Sequence, residues 1–137
     1  QGAVYIYKHN GSNWTFFAKL IDPDGAASDL FGHSVAVNGN YAIIGSYGDN
    51  VGANLNQGSA IIYWFNGTNW VLMQKIIDPA GAADDLFGWS VSIFKPFPTI
   101  NSSNDFASVL VLFGSIISRV FYFKINFSGG GTPQTSE

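Results

Sequence analysis

Residues 1–37 of this 137-residue chain return 56 positions later as residues 57–93, with no insertion between the copies. Gln1-Gly2 reappears as Gln57-Gly58, Asn10-Gly11 as Asn66-Gly67, Asn13-Trp14 as Asn69-Trp70 and Asp22-Pro23 as Asp78-Pro79. The longest shared run, Asp29-Leu30-Phe31-Gly32-x-Ser34-Val35, is repeated at 85–91. A constant period of this size means one supersecondary unit used again, each copy burying its apolar face on the next. Such regularity suits units stacked side by side, whereas the strands of a β-sandwich occupy inequivalent places.

Within one period the pattern is that of strands. Residues 2–9 set Val4 and Ile6 against Tyr5 and Tyr7, the alternation of a two-faced strand. Asn10-Gly11 predicts a type I′ hairpin turn, with positive φ at both central residues, and 14–21 the returning strand. Residues 22–29 read as a connecting loop, because Pro and Gly break any ladder. The loop carboxylates and their repeats, Asp22, Asp24, Asp29, Asp78, Asp84 and Asp85, read as solvent-exposed caps of turns. Further strands are expected at 31–37 and 41–47 around the tight turn Asn38-Gly39-Asn40. After a polar loop at 48–56 the cycle restarts at Gln57. Nothing carries a sustained helical stripe.

One period is therefore four antiparallel strands, and the expected fold is all-β: blades of a β-propeller, with a duplicated β-sandwich as the alternative. The match weakens after Ile93, where a Pro- and Asn/Ser-rich stretch at 94–105 replaces a tight turn. Residues 106–114 and 119–124 still resemble earlier strands. The chain divides into a partial blade (1–21), a complete blade (31–77), a divergent partial blade (87–127) that stops before its fourth strand, and a linker-like Gly-rich tail (128–137).

Composition narrows the partners. Eight Asp and one Glu face six scattered Lys and Arg, which argues against a nucleic-acid surface and against a polybasic membrane patch. With no cysteine, neither a disulfide framework nor a thiolate metal site is available. The most apolar run, 106–117, is twelve residues long, where a spanning helix needs about 20, so it reads as buried strand and not as a membrane span. The chain opens on Gln, as a processed or excised segment would, and no targeting segment is expected.

The repeated constellation resembles the FG-GAP repeat, the blade unit of integrin α-subunit propellers and of many bacterial and protist surface proteins. The residues that carry the resemblance are Phe31-Gly32-x-Ser34-Val35-Ala36-Val37, then Ala42-Ile43-Ile44-Gly45-Ser46-Tyr47 after a turn, then Gly58-Ser59-Ala60-Ile61-Ile62-Tyr63. The resemblance implies an extracellular or cell-surface, non-enzymatic protein. It also implies that Phe31 and Phe87 wedge between blades and that Gly32 and Gly88 allow close strand approach. Trp14 and Trp70 are expected to pack on the outer strands. Calcium-binding members carry an Asp-rich loop where this chain has Asn38-Gly39-Asn40, too short for a cation that takes roughly six to eight oxygens. The corresponding later loop, Asn101 to Asp105, offers a single carboxylate. No metal or other cofactor is expected.

Propellers close with roughly four to eight blades, and about two and a half are present here. An unclosed stack leaves bare edges and apolar faces. The chain is then either an excerpt of a larger propeller or a unit that self-assembles, head to tail, into an oligomer or filament. The remaining motifs weigh less. Asn10, Asn13, Asn66, Asn101 and Asn126 begin glycosylation sequons, with Asn10 and Asn66 at hairpin tips. His33 beside Ser34, with Asp29 nearby, does not make a triad, since strand neighbours point to opposite faces and the repeat places Trp89 at the equivalent of His33. Gly129-Gly130-Gly131 lacks the Lys-Ser/Thr of a phosphate loop. Trp14, Trp64, Trp70 and Trp89 could stack on sugars or simply pack blades together. The sequence thus leads to a structural or adhesive repeat protein, with a carbohydrate-binding propeller module as the alternative and glycans or other surface proteins as further partners.

Overall fold

The computed structural model describes residues 1–94 and three further strands at 105–113, 120–127 and 134–136. Every regular element among them is a strand: β1 (Val4–His9), β2 (Trp14–Leu20), β3 (Ser34–Asn38), β4 (Tyr41–Ser46), β5 (Ser59–Phe65), β6 (Trp70–Ile76), β7 (Phe87–Phe94), β8 (Asp105–Phe113), β9 (Val120–Phe127) and β10 (Gln134–Ser136). They form an antiparallel β1-β2 pair, a four-stranded sheet β3-β4-β5-β6 and a four-stranded sheet β10-β9-β8-β7. These are the two outer strands of one blade followed by two blades. The third unit differs from expectation: its fourth strand exists, because Gln134–Ser136 in the expected tail pairs antiparallel with β9 opposite Asn126, Ile125 and Lys124.

The repeat in sequence is a repeat in register. Val4, Tyr5 and Ile6 pair with Leu20, Lys19 and Ala18, then the register slips by one before Tyr7 pairs with Phe16. In the next sheet Ala60, Ile61 and Ile62 pair with Ile76, Lys75 and Gln74, and the same slip precedes Tyr63 opposite Leu72. The bulges leave Phe17 and Met73 as the extra residues, and a bulge strengthens the local twist of the outer strands.

The two hairpins at the blade rim correct the turn expected there. Four residues, 10–13, separate β1 from β2, and only Gly11 among them has positive φ (102°). The Asn10 carboxamide oxygen accepts from the Ser12 and Asn13 amides at 3.0 and 2.9 Å. Asn66 repeats this with Thr68 and Asn69 at 2.9 and 2.8 Å. The side chain, acting as an Asx cap, supplies what a two-residue type I′ turn would have taken from backbone geometry.

The strand expected at 31–37 begins only at Ser34, because Leu30 (φ 60°) and Gly32 (φ 92°) put a left-handed kink on each side of Phe31. The kink carries Phe31 across to the preceding unit, where it makes an isolated parallel bridge with Gly2; Phe87 makes the same bridge with Gly58. Glycine is obligatory at Gly58, where φ is +86° and a Cβ would lie 2.2 Å from the Phe87 carbonyl oxygen. Gly88 is equally tight, a Cβ there meeting the Ser59 carbonyl at 2.2 Å, while at Gly32 the nearest atom is 3.1 Å away.

Two apolar seams hold the units together. Leu20, Phe31, Ala42, Ile44, Ile61 and Tyr63 form the first, with Val4, Ile6 and Trp70 packed against it. Ile43, Ala60, Ile62, Ile76, Phe87 and Ile93 form the second, joined by Ala36, Tyr41, Met73 and Val91. Alternate residues of β4 and β5 feed opposite seams, so both faces are covered and these strands read as continuous apolar runs. Each fully buried Ile contributes about 1.5–3 kcal/mol. Phe31 and Phe87 occupy equivalent places in the two seams.

Candidate interaction surface

The first seam is closed at one end by charge. Lys75 on β6 reaches back to the loop after β2, with Nζ 3.0 Å from Asp22 Oδ2, and also lies 2.6 Å from Asp49 Oδ2 in the loop after β4. Both contacts pair a cation with a carboxylate, and at Asp22 the Lys75 ammonium also donates a hydrogen bond. Asp22 and Asp49 are buried. Burial alone lowers the Lys75 pKa, but the two carboxylates outweigh it and raise the pKa overall. The Tyr63 hydroxyl donates to the Ile21 carbonyl beside this cluster. Its pKa is raised, first by burial and then by the Asp22 charge.

The expectation of solvent-exposed loop carboxylates is therefore corrected: Asp22, Asp29 and Asp78 are buried, while Asp24 and Asp84 stay exposed. Their capping role is real. Asp22 Oδ1 accepts from the Asp24 amide and Asp78 Oδ1 from that of Ala80, at 3.0 and 2.9 Å. Asp29 and Asp85 each accept from the amide three residues earlier, at Ala26 and Ala82. Each turn folds against the glutamine that opens its repeat: Gln1 Nε2 donates to the Asp22 carbonyl and Gln57 Nε2 to the Asp78 carbonyl, both at 2.7 Å.

Comparison of residues one period apart exposes what the first unit lacks. Tyr63 is 5% exposed but Tyr7, its equivalent, is 52% exposed. Ile61 is fully buried, whereas Tyr5 lies open, and Trp70 is half-buried where Trp14 is 71% exposed. Tyr5, Tyr7, Trp14 and Phe16 share this face, joined by ring contacts of Tyr5 and Tyr7 with Phe16 at 6.4 and 6.1 Å and of His9 with Trp14 at 5.2 Å. Lys19, the equivalent of Lys75, leans over the Tyr5 ring at 5.7 Å. The face therefore presents in the open the positions that the following repeat buries in the first seam. Beside it, an apolar groove of about 540 Å³ runs between β1 and β3.

The other anticipated residues fall in two groups. Trp64 and Trp89 are exposed, as is Trp14, so the packing role expected of Trp14 is not filled; only Trp70 packs against a seam. Trp89 joins His33 and Tyr47 in an aromatic cluster at the blade top, with centroid separations of 4.5–5.0 Å. His33 spends its ring there, and Ser34 donates its hydroxyl to the Gly88 carbonyl at 2.7 Å, so no triad is assembled. Asn10, Asn13 and Asn66 are exposed at the rim. Asn101 lies outside the described residues, as does most of the later candidate calcium loop; Asn126 is on β9. Among the described residues no cluster of three or more His, Cys, Asp or Glu could hold a metal ion.

Sequence reasoning missed the Lys75–Asp22–Asp49 latch and the exposed Val35 and Val37 of the groove. Asking which repeated residues keep a charge partner, and which keep a covering neighbour, would have found both. The FG-GAP repeat family matches residues 14–63 and 70–97 of the chain. No curated protein matches it.

Proposed function

The chain belongs to the FG-GAP repeat family, and on that premise we propose that it is a structural or adhesive module of the cell surface or extracellular space that self-assembles through its incomplete blade. FG-GAP repeats occur in extracellular, adhesion-type proteins and are generally non-enzymatic. The observation that carries the reading is the contrast between Tyr63, closed in a seam, and Tyr7, open at the same position one period earlier. A contiguous aromatic face of this kind marks an association site. A second copy stacked on it, with carboxylates meeting Lys19 as Asp22 and Asp49 meet Lys75, would build oligomers, or filaments where the stack does not close.

Electron microscopy and sedimentation of the purified chain at physiological salt test this. Filaments or rings that disperse in a Tyr7→Glu variant with unchanged melting support it. Monomers at every concentration for the parent chain refute it. A carbohydrate-binding role is favoured by a different observation, the His33–Tyr47–Trp89 cluster beside the seam. Quenching or enhancement of tryptophan fluorescence by a sugar panel, lost in Trp89→Ala, is its test.

A further inference from the structure

The two rim hairpins are built alike and differ at one residue that bears on reactivity. In each, an asparagine followed by glycine caps the turn. Asn10 Oδ1 accepts from the Ser12 and Asn13 amides at 3.0 and 2.9 Å, and Asn66 Oδ1 from those of Thr68 and Asn69 at 2.9 and 2.8 Å. Gly11 and Gly67 share a φ near one value, +102° and +98°, with open space where a Cβ would stand. The residue before each asparagine leans on the tryptophan that opens the returning strand, His9 on Trp14 at 5.2 Å and Phe65 on Trp70 at 5.5 Å. Of those two leaning rings, only His9 carries a base. His9 Nδ1 accepts a hydrogen bond from the Gly11 amide at 3.3 Å. Neither Phe65 nor Val37, which precedes the third Asn-Gly pair at 38–39, has a side-chain nitrogen to offer. Such a tip stays open to water with a unit packed before it: Asn66 to Asn69 are exposed although the first unit shares a seam with Trp70.

We propose that Asn10 is a self-modifying site, at which His9 acts as general base for attack of the Gly11 nitrogen on the Asn10 carboxamide. The Gly11 N–H proton passes to His9 Nδ1 as the bond from Gly11 N to Asn10 Cγ forms. Negative charge then develops on Oδ1, where the Ser12 and Asn13 amides already donate in the manner of an oxyanion hole. The Cγ–Nδ2 bond breaks, the proton leaves with Nδ2 as ammonia, and a cyclic imide remains. A water molecule opens that ring at either carbonyl, giving an α-linked or a β-linked aspartate at position 10. Glycine suits the attacking position, since no Cβ obstructs its nitrogen. The product adds a negative charge at the rim of a chain whose formal net charge is −3. The β-linked form also lengthens the turn by a methylene. Both forms erase the Asn10-Gly11-Ser12 sequon, because a glycan and this reaction compete for the same Nδ2. Asn66 keeps its amide, so two tips of equal geometry diverge with time.

The test ages the full chain, produced without glycans in a bacterial host, at neutral pH and body temperature. Peptide mapping by mass spectrometry follows each asparagine, and enzymatic carboxyl methylation counts the β-linked product. Asn10 is expected to convert about tenfold faster than Asn66, a modest share of what a positioned base can give because the 3.3 Å contact is long. His9→Phe, a change to an exposed side chain that gives the first tip the residue of the second, brings the Asn10 rate down to that of Asn66. His9→Gln, which keeps an acceptor for the Gly11 amide but no base, slows Asn10 equally. In denaturing urea the two rates of the parent chain converge, since the cap and the His9 contact are gone. Equal rates at Asn10 and Asn66 in the folded chain, or no conversion at either, overturn the proposal. So does a parental rate in His9→Phe or His9→Gln, or a ratio that persists in urea and therefore belongs to the local sequence alone.

Discussion

Replacing Lys75 by Met is the perturbation whose effect the structure constrains best, because the repeat supplies its own control at Lys19. Lys75 holds two carboxylates whose side chains are 1% and 8% exposed, while its own is 29% exposed. Removing one partner of a fully buried pair costs about 3–5 kcal/mol, most of it the burden of the charge left behind. Solvent at the Lys75 end relieves part of that, which brings the expected loss to about 2–4 kcal/mol. For a domain of this size about 4 °C of melting temperature goes with each kcal/mol, so the variant should melt roughly 8–16 °C lower. Lys19→Met, on the bare face, should change stability by less than about 0.5 kcal/mol. Scanning calorimetry of both variants measures the contrast. Adding Asp22→Asn and Asp49→Asn to Lys75→Met should recover most of the loss, since no unpaired charge remains buried. A Lys75→Met melt within about 2 °C of the parent, or an equal loss from Lys19→Met, would refute the reasoning.

Tyr63 and Lys75 both hold their protons more tightly in the folded state than free tyrosine and lysine side chains, whose ordinary values are 10.0 and 10.5. Protons are then lost more readily on unfolding, so the stability they confer is complete below about pH 10 and declines as pH rises beyond it. Urea titrations across that range should show a shallower decline in Tyr63→Phe, which also loses the hydrogen bond to Ile21 and about 1 kcal/mol at neutral pH. Gly58→Ala, whose Cβ would lie 2.2 Å from the Phe87 carbonyl, should cost more than about 3 kcal/mol or prevent folding. Gly67→Ala, at φ +98° with open space around it, should cost only about 1–2 kcal/mol of backbone strain; equal melting of the two variants would contradict the close approach at the seam. Produced in a secretory eukaryotic host, the chain should carry glycans at Asn10 and Asn66, seen as mass lost on enzymatic deglycosylation and absent from Asn10→Gln/Asn66→Gln.

The strand order of the complete blade was legible because alternation, Asn-Gly turns and a constant period act locally and agree with one another. The four-residue rim loops were not, since Asn10 and Asn66 decide them with a side-chain cap that the dipeptide signal does not distinguish from a type I′ turn. Burial of Asp22, Asp29 and Asp78 was hidden for another reason: loop composition predicts exposure of an isolated turn, whereas these turns are covered by residues distant in sequence, Gln1 and Gln57 among them. Trp14 and Trp70 are the same residue in the same motif, and local sequence gives them one expected environment. Their difference is set by tertiary packing, since Trp70 lies against the first seam and Trp14 does not.

An incomplete blade should fray, because two strands alone are marginal in water. Here the pair is anchored at three places that need no inner strand. The Phe31 amide donates to the Gln1 carbonyl at 2.9 Å, beside the Gly2 bridge. Leu20, Val4 and Ile6 are packed in the first seam. Tyr63 and Lys75 clasp the loop that follows β2 through Ile21 and Asp22. All three contacts come from the second unit, so the half-blade is held in a blade's register by the blade after it. The edge of β1 is thereby ordered without a neighbour on its other side among the described residues. The Lys75 latch belongs to the same set of contacts, because it ties β6 of the second unit to the loop that follows β2.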